Sequence, residues 1–264
     1  MVESKRYFAK SLQPLFIVLV YLFLYLPILV LALFSFNDSA ISAKWVGFSF
    51  RWYKALAHNP EILEAFQNSI IVALSSTILS IILGTMFVIS SKWWKNDRPF
   101  NLFYTNIILP DLILAVCVLS TFTFFHIPMG YTSLITGHTL LGLGFVIPII
   151  RARFSELDPI LTEASLDLGA TYLQTFRKVH LPLLAPALIT SALLVFTLSL
   201  DDFFIAFFCS SPSVQTLSVY VFSIARTTID PTINALSAIF LVVSSIIVLL
   251  LCFFKVVDQV LVHE

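Results

Sequence analysis

Three carboxylates stand in stretches that otherwise carry no charge. Asp111 interrupts residues 99–150, and Asp201 and Asp202 interrupt residues 179–225. An ionised side chain at the centre of a bilayer costs at least about 2.5–3.5 kcal/mol, so it normally faces a protein interior or an aqueous path. No Lys or Arg lies in either stretch, so the acids have no basic partner within their own spans. Asp111 follows Pro110, which can kink a helix and free a carbonyl. Counted along one helix from Phe100, Asp111 lies about 16 Å in, near mid-membrane. Asp201 lies about 27 Å past Leu183, toward the outer face. Neighbours on a helix point about 100° apart, so Asp201 and Asp202 cannot share one direction. Ser199 stands three residues before Asp202, where it could share its hydrogen bonds. Acids lining a path without an internal cation suit a cationic substrate. Tyr25, Trp45 and Trp52 could add cation–π attraction. The plainer readings are helix-contact hydrogen bonding for the acids and interfacial anchoring for the aromatics.

A second group lies in a polar segment. Glu163-Ala164-Ser165-Leu166-Asp167-Leu168-Gly169 continues to Val179-His180-Leu181-Pro182. Asp158-Pro159 can open a short helix, because proline is tolerated in the first turn. Gly169 sits where that helix could end. A second short helix over 170–180 would carry Arg177 and Lys178, and Pro182 would begin the next span. The expected product is a helix–turn–helix knob within 155–181, shaped to dock a soluble partner.

The elements that must position these residues follow from composition. The chain has 264 residues, 59% hydrophobic and 11% charged, with 26 Phe and no net charge. Its mean hydropathy is +0.97. Soluble domains carry roughly 25% charged residues, so a soluble enzyme and a disordered chain are both excluded. Neutrality leaves no electrostatic footprint for nucleic acid. A membrane-spanning helix needs about 20 apolar residues. The charge-poor windows then predict six helices, near 12–36, 66–91, 100–125, 131–150, 183–208 and 233–254. The runs are too long and too continuous for barrel strands. The fold class is all-α and polytopic, a single transmembrane domain over 1–264.

Lys and Arg counting orients it. With the N-terminus inside, Lys5, Arg6, Lys10, Lys92, Lys95, Arg98, Arg151, Arg153, Arg177, Lys178 and Lys255 fall on the cytoplasmic side, which is 11. Lys44, Arg51, Lys54 and Arg226 fall outside, which is 4. Both termini are therefore expected in the cytoplasm. Small residues over 39–43 follow the first apolar stretch, but that stretch is far longer than a signal-peptide core, so the first helix is expected to stay uncleaved.

Other chemistry lacks its motifs. Cys117, Cys209 and Cys252 form no Cys-x-x-Cys pair, and the five histidines show no ligand spacing, so no metal site is expected. No phosphate-binding loop and no nucleophile elbow occur. The chain is expected to have no catalytic residue and to hydrolyse no ATP by itself.

The segment from Glu163 to Pro182 resembles the "EAA" loop of binding-protein-dependent ABC importer permeases. The match holds at Glu163, Ala164, Gly169, Leu181 and Pro182, with Ser165 in place of the usual Ala and Val179 in place of the common Ile. Further segments are similar to the polyamine (spermidine/putrescine) branch of that family: Tyr25-Leu26-Pro27, Ser35-Phe36-Asn37, Trp45-Val46-Gly47-Phe48, Arg51-Trp52-Tyr53, Leu109-Pro110-Asp111, Phe196 to Asp202 and Asp230 to Ala235. The resemblance implies a type I ABC importer permease in the bacterial inner membrane. It implies Asp111, Ser199, Asp201, Asp202, Tyr25 and Trp52 as pathway residues, and Glu163, Ala164, Ser165 and Gly169 as the ATPase-coupling residues. It also implies a second, non-identical permease, an ATPase dimer holding ATP and Mg, and an extracytoplasmic polyamine-binding protein, all around a chain embedded in lipid. Two rivals remain at this point: the same architecture serving another small solute, and an ATP-independent secondary carrier.

Overall fold

The computed structural model of the chain describes residues 2–39, 44–90, 98–227 and 231–262. Lys92, Lys95, Asp230 and residues 40–43 lie outside the described residues. Helix is the only extended element described: α1 (Val2–Phe34), α2 (Arg51–Ala57), α3 (Pro60–Ser90), α4 (Arg98–Ile108), α5 (Asp111–Phe124), α6 (Tyr131–Glu156), α7 (Ile160–Asp167), α8 (Tyr172–Thr175), α9 (Leu181–Asp201), α10 (Phe204–Cys209), α11 (Leu217–Thr227) and α12 (Thr232–Val262). A π-helical turn, Phe176–His180, joins α8 to α9. Among the described residues five helices are long and apolar enough to cross a membrane, or six if α4 and α5 count as one bent span.

Two of the expected spans are not continuous helices. The one expected over 100–125 bends by 115° between α4 and α5. Pro110 lacks an N–H and disfavours helical geometry at Leu109, and its own ψ of 135° sends the chain off the helix axis. The span expected over 183–208 stops at Asp201, and α10 begins separately at Phe204. Asp202 is the hinge, with extended backbone at φ −66°, ψ 131°. The expected helix over 170–180 is instead one α-turn and one π-turn running straight into α9. The short helix α11 was not foreseen.

The chain forms two compact units, residues 1–60 with 223–243, and residues 61–222 with 244–264. In the first, α1 presents an exposed apolar surface over Phe16–Phe34. The loop after it closes around Asn37, which is almost fully buried. Its amide donates to the Lys44 carbonyl (2.7 Å) and accepts from Val46 N–H (2.9 Å). The Trp52 indole N–H donates to the Asn37 carbonyl (2.8 Å), and Ser35 and Tyr53 share a hydroxyl–hydroxyl bond (2.7 Å). Phe36, Phe48, Phe50 and Tyr53 stack around this knot with centroids 5.2–5.9 Å apart.

The second unit is organised by α6, which packs on α4, α5, α9 and α10. Helix α3 has its small and polar residues inside: Ser69, Ala73, Ser76, Ser80 and Gly84 recur at helical spacing and are buried. The large apolar residues Ile71, Ile78, Ile82 and Met86 are exposed. Hydrocarbon offers no reward for burying Leu against Leu, so close approach and hydrogen bonding hold such helices together. Ser80 donates to the Thr139 carbonyl of α6 (3.1 Å). Gly142 makes the same crossing possible. A Cβ there would sit 2.8 Å from Val195 Cγ1 of α9, and closer still to the Ser80 hydroxyl. Overpacking a tight crossing costs about 1–3 kcal/mol. Gly142→Val should therefore lower the thermal unfolding midpoint in detergent clearly. Gly47→Ala, which meets nothing within 4 Å, should leave it unchanged.

Candidate translocation site and coupling knob

The break between α9 and α10 needs an explanation in an apolar run without glycine or proline. Asp202 supplies it. Its Oδ2 accepts the N–H of Ala206 (3.0 Å), and so caps the start of α10. Ser218 in turn donates to the Asp202 carbonyl (2.8 Å). Asp202 is 9% exposed and Ala206 is fully buried, so this capping is internal.

Asp201, one residue earlier, ends α9 with its side chain exposed. The two neighbours diverge through the backbone break, not through the turn of a continuous helix. Asp111 is also exposed, as the first residue of α5. The 115° bend removes the straight-helix measure of its depth. An acid in a first turn is also favoured by the helix dipole. Neither Asp111 nor Asp201 makes an ion pair among the described residues.

Ser199 does not bond to Asp202, contrary to the spacing argument. It is buried, and its hydroxyl meets Ser76 of α3 (3.4 Å) and Nδ1 of His138 on α6 (3.0 Å). The other ring nitrogen of His138, Nε2, faces Asp202 Oδ2 at 3.9 Å. Ser76, Ser199, His138 and Asp202 therefore form a polar file joining α3, α9 and α6. Sequence reasoning missed His138, because its partners are 61 or more residues away and no local spacing marks it.

Tyr25 and Trp52 belong to the other compact unit. Tyr25 is exposed on α1 and stacks on Tyr21 with centroids 6.0 Å apart. One face of the Trp52 ring already holds the Arg51 guanidinium, 5.1 Å from its centroid.

The segment carrying Glu163, Ala164, Ser165 and Gly169 folds as a knob built from α7 and α8. Asp158 accepts the Ile160 N–H (2.9 Å) at its start. Gly169 adopts φ +83°, the left-handed conformation that glycine tolerates best. Ala170 N–H bonds to the Ser165 carbonyl (3.1 Å) and Gly169 N–H to the Leu166 carbonyl (2.9 Å), which is the Schellman pattern. Thr171 and Gln174 then form a reciprocal capping box. Ser165 bonds to Thr175 (2.9 Å) and Thr162 to His180 (3.2 Å), fastening the two arms. Glu163 and Ala164 stay exposed, beside outward-facing Leu168, Tyr172 and Leu173.

Comparison with known proteins decides the family. The Escherichia coli (strain K12) spermidine/putrescine transport system permease protein PotC is 32% identical over 243 residues, covering 91% of this chain and 92% of its own length. The PotC of Haemophilus influenzae is 33% identical over 242 residues, covering 90% and 94%. The E. coli putrescine transport system permease protein PotI is 36% identical over 229 residues, covering 83% and 82%. The chain belongs to the PotC/PotI family of ABC transporter permeases. No protein-family model matches it. Among solved structures, a bacterial ABC transporter involved in the import of the acidic polysaccharide alginate superposes with a TM-score of 0.70, at 18% identity and 97% coverage of both chains. An amino acid ABC transporter superposes at 0.54, with 19% identity and 77% of this chain covered. Both likenesses concern the fold. The permease is thus an all-α, polytopic transport subunit.

In this permease the acids sit where helices begin or end. Asp202→Ala should strand the buried Ala206 N–H, at a cost of about 1–3 kcal/mol. Asp202→Asn keeps an acceptor and should cost less. Thermal unfolding of the two variants in detergent checks the order, and equal midpoints would contradict the capping role.

Proposed function

We propose that this chain is the permease subunit of an ATP-driven importer of spermidine, putrescine or both. The observation that carries the reading is the pair of exposed carboxylates, Asp111 and Asp201, set at helix ends in stretches without a basic residue. Such acids would attract a flexible polycation and hold it weakly enough to release it. The polyamine transport named for its PotC and PotI relatives agrees with that chemistry. Asp202 and Ser199 would act from inside the protein, and Tyr25 and Trp52 would offer ring faces, Trp52 only in competition with Arg51.

Residues 1–264 would act as a single permease domain in the bacterial inner membrane, with both termini cytoplasmic. ATP and Mg would be bound by a separate ATPase dimer, since the sequence has no phosphate-binding loop. The knob would dock that dimer, with Glu163 and the flanking apolar side chains as its contact face. A second, non-identical permease would complete the path, and an extracytoplasmic polyamine-binding protein would deliver the substrate. Closure of the ATPases would shift the permeases between inward-open and outward-open states, which requires different contacts in each.

The test is uptake of labelled spermidine and putrescine in cells lacking their own polyamine importers, with the chain expressed beside its genomic neighbours. Uptake should vanish when the ATPase carries a dead nucleotide site, and absence of both labels from cells with an assembled complex would refute the substrate. In the same assay Asp111→Asn and Asp201→Asn should each reduce uptake about tenfold, the factor for roughly 1.4 kcal/mol of lost stabilisation. Wild-type uptake in both and in the double variant would remove the acids from the path. Glu163→Lys should abolish co-purification of the ATPase, and normal co-purification would take the knob out of docking.

A further inference from the structure

His138 is the one titratable group in the polar file that the reading above leaves without a task. It is 1% exposed, on α6 between the buried Leu134 and Leu141. Burying an imidazole so completely is costly unless its nitrogens are used. Nδ1 has Ser199 at 3.0 Å. Nε2 has no hydrogen-bond partner among the described residues, yet it faces the Asp202 carboxylate at 3.9 Å.

A neutral imidazole carries its proton on one nitrogen only, and the hydrogen bond at one nitrogen fixes the state of the other. A bare lone pair on Nε2 would confront a carboxylate oxygen. An Nε2–H would be attracted to it. Nδ1 is then the acceptor, and the Ser199 hydroxyl donates to it. Ser76, whose own hydroxyl donates to the Ala73 carbonyl (3.2 Å), stands behind Ser199 at 3.4 Å, so the Ser199 proton is the one that runs along the file toward His138.

We propose that His138, held as its Nε2–H tautomer, is a positioning residue for the acid-bearing break between α9 and α10. One nitrogen fixes the last turn of α9 through Ser199. The other addresses Asp202, which caps α10 through Ala206. Asp201 lies between these two anchor points, so the direction of its exposed carboxylate is set from α6. The gap of 3.9 Å is about 1 Å longer than a hydrogen bond, which leaves the Asp202 side of the anchor open in this conformation. The functional half of this inference rests on Asp201 being a transport acid. The tautomer does not.

The test therefore has a spectroscopic arm and a transport arm. In the first, the full chain is labelled with 15N-histidine in lipid bilayers, and the His138 signals are taken as the difference from His138→Gln. A protonated Nε2 with an unprotonated Nδ1 is expected, and the opposite tautomer overturns the proposal. In the second, the assembled complex is compared by polyamine taken up per ATP hydrolysed, a ratio that a simple loss of folded protein leaves unchanged. His138→Leu should lower the ratio about tenfold, the factor for roughly 1.4 kcal/mol of lost positioning. His138→Gln, whose amide N–H reaches the Nε2 position, should recover most of it. Should the Leu variant fail to accumulate, His138→Asn takes its place, since it retains only the Ser199 contact. A wild-type ratio in the Leu or Asn variant, or a Gln variant no better than either, overturns the proposal. A wild-type complex that takes up neither polyamine would instead refute the substrate, with the tautomer still measurable.

Discussion

An interrupted helix in hydrocarbon has no water to fall back on. Its freed N–H and C=O groups must find partners inside the protein. The architecture of the second unit follows from where those partners come from. At the α4–α5 bend Pro110 brings no N–H of its own, and its carbonyl takes the Ile113 N–H (2.8 Å). Before α6, Ser133 accepts from Gly130 N–H (2.9 Å) and donates to the Cys209 carbonyl (2.7 Å), so one hydroxyl serves two helix ends. At the α9–α10 break the partner is a carboxylate. Helix starts favour acids for the same reason that cations do, namely their negative charge. At the α4–α5 bend and the α9–α10 break, the position that lets the chain turn is thereby one that carries a carboxylate.

The same solvent turns the packing inside out. On α3 most hydroxyls and the glycine lie within, while Ile71, Ile78, Ile82 and Met86 lie outside. Where α3, α6 and α9 meet, side chains are small enough for backbones to approach, and Ser80 reaches directly to an α6 carbonyl. Two apolar clusters complete the unit: one runs through Val72, Ala115, Leu134 and Ile205, the other through Val88, Phe100, Val146 and Leu184. The polar file is the exception that this close approach permits, since it joins three helices by hydrogen bonds at a point where aliphatic packing would leave their order unspecified.

Much of this was readable from the chain because its signals are local. Hydropathy runs give helices, Gly169 ends one, and Pro110 breaks another. The segments Ser35-Phe36-Asn37, Trp45 to Phe48 and Arg51-Trp52-Tyr53, each of which carries the family resemblance, close one knot around Asn37. What stayed hidden has non-local causes. The size of the bend at Pro110 depends on what α5 packs against, namely α6 and α10. The break at Asp202 carries no glycine or proline, and its cap is visible only once Ala206 is placed. His138 reads as a lone histidine in an apolar run until α9 comes alongside.

The knob and the acids are joined more directly than their separation suggests. From Tyr172 to Asp201 the chain is one helical run of 30 residues, without a loop between. At 1.5 Å per residue that is roughly 45 Å of rod. Within it the π turn at Phe176–His180 carries more residues per turn than the α-helix on either side, and so sets the angular phase between the knob and Asp201. Pro182 and Pro186 follow directly on that turn, so any bend in the run has its place there. Motion delivered to the knob by a docked ATPase would reach Asp201 only through this stretch, so the five residues of the π turn and the prolines beside it would act as the gearing between the two.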